Sequence, residues 1–593
     1  MASEAPNQEG WVEAKDEEAL ANVPVVTAQK WDGSAKVYQW NDEFGDVGPK
    51  FPDLEVELFG APESRHEVAG LDFSRIEEIE VHQEGPRKID PIGTFNGAGL
   101  HPVMLENVEL CGYQTPTPIQ KFTIPSILQG HDVIGIAQTG SGKTAAYLIP
   151  ILSKLMGKAK KLAAPRPNPV TFREGIDGVC AEPLVLIVAP TRELAVQIFN
   201  EARKLCYRTM LRPCVVYGGI PVMEQINLLQ KGCDILVGTP GRLVDSIQRP
   251  RVLTLRRLKH IVIDEADEML DAGWEDDLQQ ILGGGEQDEG NVSFYLFSAT
   301  FPKAARDLAK EYLAASHVRF RVGRAGSTTE NIQQIVLQAE GHEKRDMLVK
   351  LLETNPGVRT IIFVNSRREA DNLDAFLWNL GLPVTSIHSD RSQVEREAAL
   401  RAFRAGTAPI LVATGVTARG IDVPNVMHVI NYDLPSIDHG GIEEYTHRIG
   451  RTGRIGHRGV ATSLFSERDI DLASVLTRTL LETNQEIPEF LESYKPADTD
   501  RKHLKFETES DFDPNDVAGA NDMGGAPAGD GSAPGWGSGE AQGEPAASGG
   551  WGASNGDAAA ETGAWGSGGG DAVAADNAWG VAPDTTSKAP GGW

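Results

Sequence analysis

Apolar residues fall in short blocks along the middle of the chain. Blocks at 184–188, 214–217, 234–237, 260–263 and 293–297 have the length of buried strands, and stretches with helical spacing at 192–205 and 302–313 lie between or after them. The alternation then begins again, with strand-like blocks at 360–364, 384–387, 409–413 and 426–431 and helical stretches at 368–380 and 393–403. Strand and helix in turn predict a parallel sheet covered on both faces. Two tandem α/β domains are expected, at about 93–325 and 332–495. No block approaches the roughly 20 apolar residues of a membrane-spanning helix, and nothing resembles a secretory leader, so no membrane association is expected.

Outside these limits the pattern fades. Residues 1–92 are acidic and weakly periodic, with Trp11, Trp31 and Trp40 among turn formers, and are expected to be mostly disordered. Residues 506–593 collapse into Gly, Ala, Ser, Asp and Glu, which cannot bury a core, and are also expected to be disordered. The net charge of −28 is concentrated in these ends, with −13 over residues 1–90 and −13 over 506–593. The middle is therefore nearly balanced, and nucleic acid stays open as a partner because phosphate contacts are local. The five cysteines, Cys111, Cys180, Cys206, Cys214 and Cys233, include no CxxC pair. Reduced thiols are expected rather than a zinc site or disulfides, which fits a cytoplasmic or nuclear protein. Residues 156–182 form an insertion with Lys158, Lys160, Lys161 and three prolines, read as a surface loop ahead of an RNA contact or nuclear signal.

Candidate chemistry sits at the ends of the apolar blocks. The short run His131-Asp132-Val133-Ile134-Gly135-Ile136 leads into Ala137-Gln138-Thr139-Gly140-Ser141-Gly142-Lys143-Thr144, and Ala145-Ala146-Tyr147-Leu148-Ile149 continues as a helix. Strand, glycine loop and helix make a phosphate cradle: loop N–H groups face phosphate oxygens, Lys143 reaches the β/γ-phosphates, and the Thr144 hydroxyl suits Mg²⁺. Ala137 departs from the first glycine of the general pattern. The block 260–263 ends in Asp264-Glu265-Ala266-Asp267, at the sheet edge where ligands of open α/β folds bind. Asp264 suits Mg²⁺, largely through water, and Glu265 can orient and deprotonate an attacking water. Ser298-Ala299-Thr300 ends the next block.

Further segments follow in a fixed order. They are Gly112-Tyr113-Gln114-Thr115-Pro116-Thr117-Pro118-Ile119-Gln120 with Phe95 upstream, Pro190-Thr191-Arg192-Glu193-Leu194-Ala195, Gly218-Gly219 and Thr239-Pro240-Gly241-Arg242. Later come Ile361-Ile362-Phe363-Val364-Asn365, Gln393-Val394-Glu395-Arg396, Thr414 ahead of Ala418-Arg419-Gly420-Ile421-Asp422, and His447-Arg448-Ile449-Gly450-Arg451-Thr452-Gly453-Arg454. In this set, over about residues 93–495, the chain resembles the DEAD-box RNA helicases, most closely the Vasa and Belle type. The resemblance implies two RecA-like domains, ATP and Mg²⁺ as ligands, and RNA, as single strand or short duplex, as partner.

The resemblance also distributes roles. Phe95, Thr115 and Gln120 would hold adenine, by stacking and by the side-chain amide, and Phe95 lacks the flanking helix or strand that would make it a core residue. Asp422 would hold the ribose. Arg451 and Arg454 would act as arginine fingers, and His447 would join the ATP site to Ser298 and Thr300. RNA would be met by Pro190, Arg192, Gly219, Thr239, Gly241, Arg242, Gln393, Arg396 and Thr414, through phosphate and sugar rather than bases. A competent ATP site would then exist only when the domains close on RNA, and local, non-processive unwinding is implied. An ATP-controlled clamp that recruits partners through the tail is the alternative, and a DNA helicase is a third reading. Departures from the family pattern are Gly415, Ser389 and a small insertion at 438–441.

The tail carries a repeat of its own. Trp536, Trp551, Trp565, Trp579 and Trp593 recur at spacings of 15, 14, 14 and 14, four of them followed by glycine. With no apolar neighbours they are read as anchors for pockets on another protein. They resemble the Trp-Gly hooks that bind Argonaute proteins, which implies a role in RNA silencing.

Overall fold

Buried runs of β-branched and aliphatic residues become strands, and the amphipathic stretches after them become the helices that cover both faces. A computed structural model describes residues 47–60, 81–156, 158, 162, 165–167, 173, 176–283, 292–323, 331–415, 423, 425–437, 440–453 and 459–496. The strands are β1 (Val81–Glu84), β2 (Val133–Ile136), β3 (Val185–Val188), β4 (Pro213–Val216), β5 (Ile235–Gly238), β6 (His260–Asp264), β7 (Ser293–Ser298) and β8 (Val318–Val322) in one sheet. Their order is β1-β8-β2-β7-β6-β3-β5-β4. The second sheet holds β9 (Ile332–Gln338), β10 (Thr360–Val364), β11 (Val384–Ile387), β12 (Ile410–Thr414), β13 (His428–Asn431) and β14 (Gly459–Phe465), in the order β11-β12-β10-β13-β14-β9. The fold is therefore two tandem RecA-like α/β units, as the alternation predicts.

Alternation along each central strand sends successive side chains to opposite layers. Val185 and Ile187 of β3 join one apolar cluster with Leu148, Ile198 and Phe199, while Leu186 and Val188 join the other with Leu243 and Ile281. In the second sheet Ile362 and Val364 of β10 face one layer, and Ile361 and Phe363 the other. Parallel pairing then aligns the strand ends: β2, β3, β5, β6 and β7 run the same way, and so do β10 and β12. The segments with candidate chemistry follow these C-terminal ends, so one edge of each sheet gathers them.

Three features add to these expectations. Residues 1–92 contain regular structure: helix Pro52–Phe59 packs Leu54 and Leu58 against Tyr207, and the Phe51 N–H donates to the Tyr207 hydroxyl at 2.9 Å. The first sheet is not purely parallel, because β1 pairs antiparallel with β8, Val81 opposite Val322, and the first domain takes in residues upstream of 93. The insertion at 156–182 is pinned in its described parts, with an Arg166–Asp234 ion pair and a 2.8 Å hydrogen bond from Arg257 to the Leu162 carbonyl. All five cysteines are free thiols. Among the described residues no helix is long and apolar enough to cross a membrane.

One close approach in the core bears on the site. A Cβ on Gly135 of β2 would lie 2.6 Å from the Phe297 ring of β7, and Phe297 is held in turn by Tyr147 at 5.0 Å between centroids. Gly135→Ala should cost about 1–3 kcal/mol as overpacking. Denaturant midpoints check this, and Phe297→Leu in the same chain should recover part of the loss; equal losses in the single and double variants would show that the contact is not the cause.

Candidate functional site

The loop after β2 is shaped by its glycines. Gly140 and Gly142 take φ of +75° and +86°, and a Cβ on Gly142 would come within 2.5 Å of Gln120 Nε2. Gln120 and Thr117 in turn tie the preceding segment to this loop: Gln120 Nε2 donates to the Gly142 carbonyl at 3.1 Å, and Thr117 Oγ1 donates to the Ser141 carbonyl at 2.8 Å. Gln120 Oε1 accepts from the Thr117 N–H at 3.0 Å. Each end of the amide makes one hydrogen bond, leaving a second donor and a second lone pair of its inventory. Lys143 is buried at the head of helix Lys143–Met156 and donates to the Ala137 carbonyl at 2.7 Å. Gln138, Thr139, Ser141 and Thr144 line the same turn, and Thr115 lies half-buried before it.

Phe95 departs from expectation. It is only 5% exposed and belongs to the apolar cluster of Leu100, Met104 and Ile119, so it does have core neighbours. The short 3-10 turn Asn96–Ala98 follows it, and helix Pro102–Leu110 supplies the cover that the glycines themselves cannot.

The β6 end concentrates charge. Asp264, Glu265 and Asp267 are 2%, 6% and 2% exposed. Asp264 Oδ1 accepts from the Glu265 N–H at 3.1 Å, and Oδ2 accepts from the Tyr147 hydroxyl at 2.9 Å. Burial pushes the Asp264 carboxyl up to about 6, with Lys143 pulling down and Glu265 pushing up. Burial, then the Asp264 charge, keeps the Tyr147 phenol protonated. Glu265 adopts φ +54°, a left-handed conformation that a residue with a side chain adopts at a cost, and its Oε2 is buried without a hydrogen-bond partner. Ser141 Oγ is likewise buried and unpaired. Orphaned oxygens beside a lysine and a helix N-terminus fit a phosphate chain, an attacking water and a divalent cation held by Thr144 and Asp264. Among the described residues no group of three or more His, Cys, Asp and Glu could hold a metal by itself.

Asp267 is the joint to the neighbouring segments. Its Oδ2 accepts from Ala299 N–H at 3.2 Å, Thr300 N–H at 2.8 Å and Thr300 Oγ1 at 2.9 Å, while its own N–H donates to Ser298 Oγ at 3.2 Å. Burial pushes Asp267 up, but His447, Lys143 and the Thr300 and Ser298 hydrogen bonds outweigh it and hold the carboxyl below its ordinary value. His447, from helix Gly441–Ile449 after β13, lies 3.9 Å from Asp267 and 3.4 Å from Glu268. One residue beyond that helix, the Gly450 carbonyl accepts from Thr139 Oγ1 at 3.4 Å, and Arg451 Nε donates to the His447 carbonyl at 3.0 Å. The structure thus brings Ser298, Thr300, His447 and Arg451 to the carboxylates and the glycine loop. Arg454, Asp422 and the five tail tryptophans lie outside the described residues.

The polar residues of the second edge meet across the two sheets. Arg396 pairs with Glu193 at 2.7 Å, both buried, and Arg192 Nη1 donates to Gln393 Oε1 at 3.3 Å. Gly219, at φ +92°, lies against the Arg192 guanidinium and leaves no room for a side chain. Tyr217 donates to Glu397 at 3.2 Å. Arg242 donates to the Ile220 carbonyl at 3.4 Å, and Gly241 approaches Trp274. Pro190 is half-buried after β3, Thr239 precedes helix Pro240–Ile247, and Thr414 ends β12. A side chain at Gly415 would run into the Glu444 carboxylate, which is held by Arg448 at 2.8 Å. Glu193, Thr117, Tyr147 and Glu268 were not singled out from sequence. Only Tyr147 carried a usable signal, its position one helical turn after Thr144.

Comparison with known proteins decides the family. The DEAD/DEAH box helicase profile matches residues 117–308, and the helicase conserved C-terminal domain matches residues 343–456. S. cerevisiae Dbp5 bound to RNA and ADP BeF3 is 30% identical, over 65% of this chain and 93% of that one, with a TM-score of 0.56. The chain belongs to the DEAD-box helicases. Mss116p bound to ssRNA and AMP-PNP is a second similar structure of this helicase core, 26% identical over 69% of this chain and 83% of that one, with a TM-score of 0.57.

The raised Asp264 value gives a test of the helicase's electrostatics. Its folded pKa of about 6 lies above the ordinary 3.8, so the carboxyl adds stability while protonated and loses that contribution as pH rises through about 6. Asp264→Asn removes the titration. Relative to the parent, the variant should gain about 1–1.5 kcal/mol between about pH 5 and about pH 8. Denaturant midpoints at the two pH values check it, and a pH-independent difference would contradict the burial argument.

Proposed function

We propose that this helicase hydrolyses Mg²⁺–ATP under the control of RNA, binds RNA without reading its bases, and opens short duplexes or remodels RNPs locally. The observation that supports it best is the seam itself. Lys143, Asp264 and Glu265 come from one sheet, and His447, Gly450 and Arg451 come from the other, meeting at Asp267 and Thr139. The relatives point the same way, since Dbp5 was captured with RNA and ADP BeF3 and Mss116p with ssRNA and AMP-PNP.

In this reading the glycine loop and Lys143 hold the β- and γ-phosphates, and Thr144 with Asp264 holds Mg²⁺, which screens phosphate charge when bound. Phe95, Thr115 and Gln120 serve adenine, and Asp422 serves the ribose. Glu265 takes a proton from a water whose oxygen attacks the γ-phosphorus, and the bond to the ADP oxygen breaks. Arg451 and Arg454 meet the charge that develops. Arg192, Gly219, Arg242, Gln393, Arg396 and their neighbours Pro190, Thr239, Gly241 and Thr414 hold the RNA backbone. Closure on RNA completes the seam, and hydrolysis reopens it. We also propose that the protein is of the Vasa and Belle type, on the likeness of its motif set, and that it acts in the cytoplasm, which its free thiols suit.

Glu265→Gln is the sharpest test. RNA-stimulated ATP hydrolysis should fall at least about 100-fold, since a general base contributes roughly 10²–10⁴, while RNA binding with ATP is kept. Strand separation that requires turnover should vanish with it. Persistence of full biological output in this variant would favour the RNA clamp over the helicase, and undiminished hydrolysis would remove Glu265 from the mechanism.

We further propose that the tail tryptophans anchor an Argonaute-type partner. Spacers of 14 residues span about 20 Å in a flexible glycine-rich chain, so adjacent rings can fill two pockets on one surface. Full-length protein should recover Argonaute from extract, and a variant with Trp536, Trp551, Trp565, Trp579 and Trp593 all changed to Ala should not. Equal recovery would end the idea.

A further inference from the structure

Helix Lys143–Met156 carries Thr144 and Tyr147 three residues apart, and so on one face. Tyr147 has no solvent exposure, and its ring is fixed against Phe297 at 5.0 Å. Its hydroxyl donates to Asp264 Oδ2 at 2.9 Å, and Thr144 lies near enough to the same hydroxyl to act on its proton affinity. A single phenol oxygen therefore stands between the two residues that suit the cation.

The direction of the hydrogen bonds follows from the inventory. A phenol has one proton, and Tyr147 gives it to a carboxylate that can only accept when ionised, so its free lone pair can only accept, and a proton from Thr144 is what it can take. The observed link runs from Tyr147 O–H to Asp264 Oδ2, and a Thr144 hydroxyl turned toward the phenol would extend it. The other carboxylate oxygen is held by the Glu265 N–H at 3.1 Å, so Asp264 is fixed at both oxygens. A threonine oxygen that turns its lone pair toward a cation must send its proton elsewhere, and Tyr147 is the acceptor in place.

We propose that Tyr147 is a positioning residue for Mg²⁺: its hydroxyl presets Thr144 and Asp264 as a pair, and a phenylalanine of the same shape would leave the core filled and the pair uncoupled. The inference rests on the Mg²⁺–ATP reading above. Groups that orient metal ligands from behind typically change metal affinity about 10- to 100-fold when removed.

The test is Tyr147→Phe in the full-length protein, read by binding of a fluorescent ADP analogue as Mg²⁺ is titrated. The Mg²⁺ concentration for half-maximal tightening should rise about tenfold, while affinity for the analogue without Mg²⁺ stays at the parent value. Tyr295→Phe, which deletes another buried hydroxyl, the one 3.1 Å from His260, should leave the titration unchanged. A Tyr147→Phe titration that superimposes on the parent, or an equal loss with and without Mg²⁺, overturns the role of Tyr147 alone. A parent protein whose nucleotide binding ignores Mg²⁺ overturns the Mg²⁺–ATP reading and this inference together.

Discussion

Three carboxylates within four residues, Asp264, Glu265 and Asp267, are buried at the end of β6, and burying that much negative charge is the constraint to which the surrounding structure answers. An unpaired buried charge costs several kcal/mol, so each must be met by donors or a cation. Lys143 and Tyr147 meet Asp264 from helix Lys143–Met156, while Thr300, Ser298 and His447 surround Asp267. Glu265 is the exception. Its backbone is left-handed, and its Oε2 is buried without a hydrogen-bond partner.

The same electrostatics ties the second sheet to the first. His447, from the second domain, lies 3.9 Å from Asp267, and the chain just beyond it touches the glycine loop through Gly450. Nearby, Glu193 with Arg396 and Arg192 with Gln393 join the sheets through the polar segments assigned to RNA. The segments to which the proposed function gives nucleotide and RNA therefore share one interface, and coupling between them would need no long chain of intermediaries.

Much of this was legible before any coordinates. Blocks such as 184–188 and 360–364 had the length and β-branched content of buried strands, and the glycine loop and the carboxylates were read from their place at strand ends. What escaped has physical reasons. Val81–Glu84 reads Val-His-Gln-Glu, without apolar alternation, and is a strand only because β8 offers it an edge. Helix Pro52–Phe59 depends on the Tyr207 pocket, assembled from residues about 150 positions away. Phe95 was read from its flanking glycines, whereas its neighbours come from Leu100 onward. Glu193 sits inside a recognised segment, yet its partner Arg396 lies on the second sheet's side, so sequence alone could not give it a role.

The antiparallel strand β1 has a practical consequence. It covers β8, whose hydrogen-bonding edge would otherwise face outward, and Glu84 pairs with Arg319 across the same border. A shortened protein that began at residue 93, where composition suggests the globular part starts, would uncover that edge and invite strand-to-strand association between copies. The natural starting point for an isolated helicase core is therefore upstream of Val81, within the acidic region that composition alone would discard.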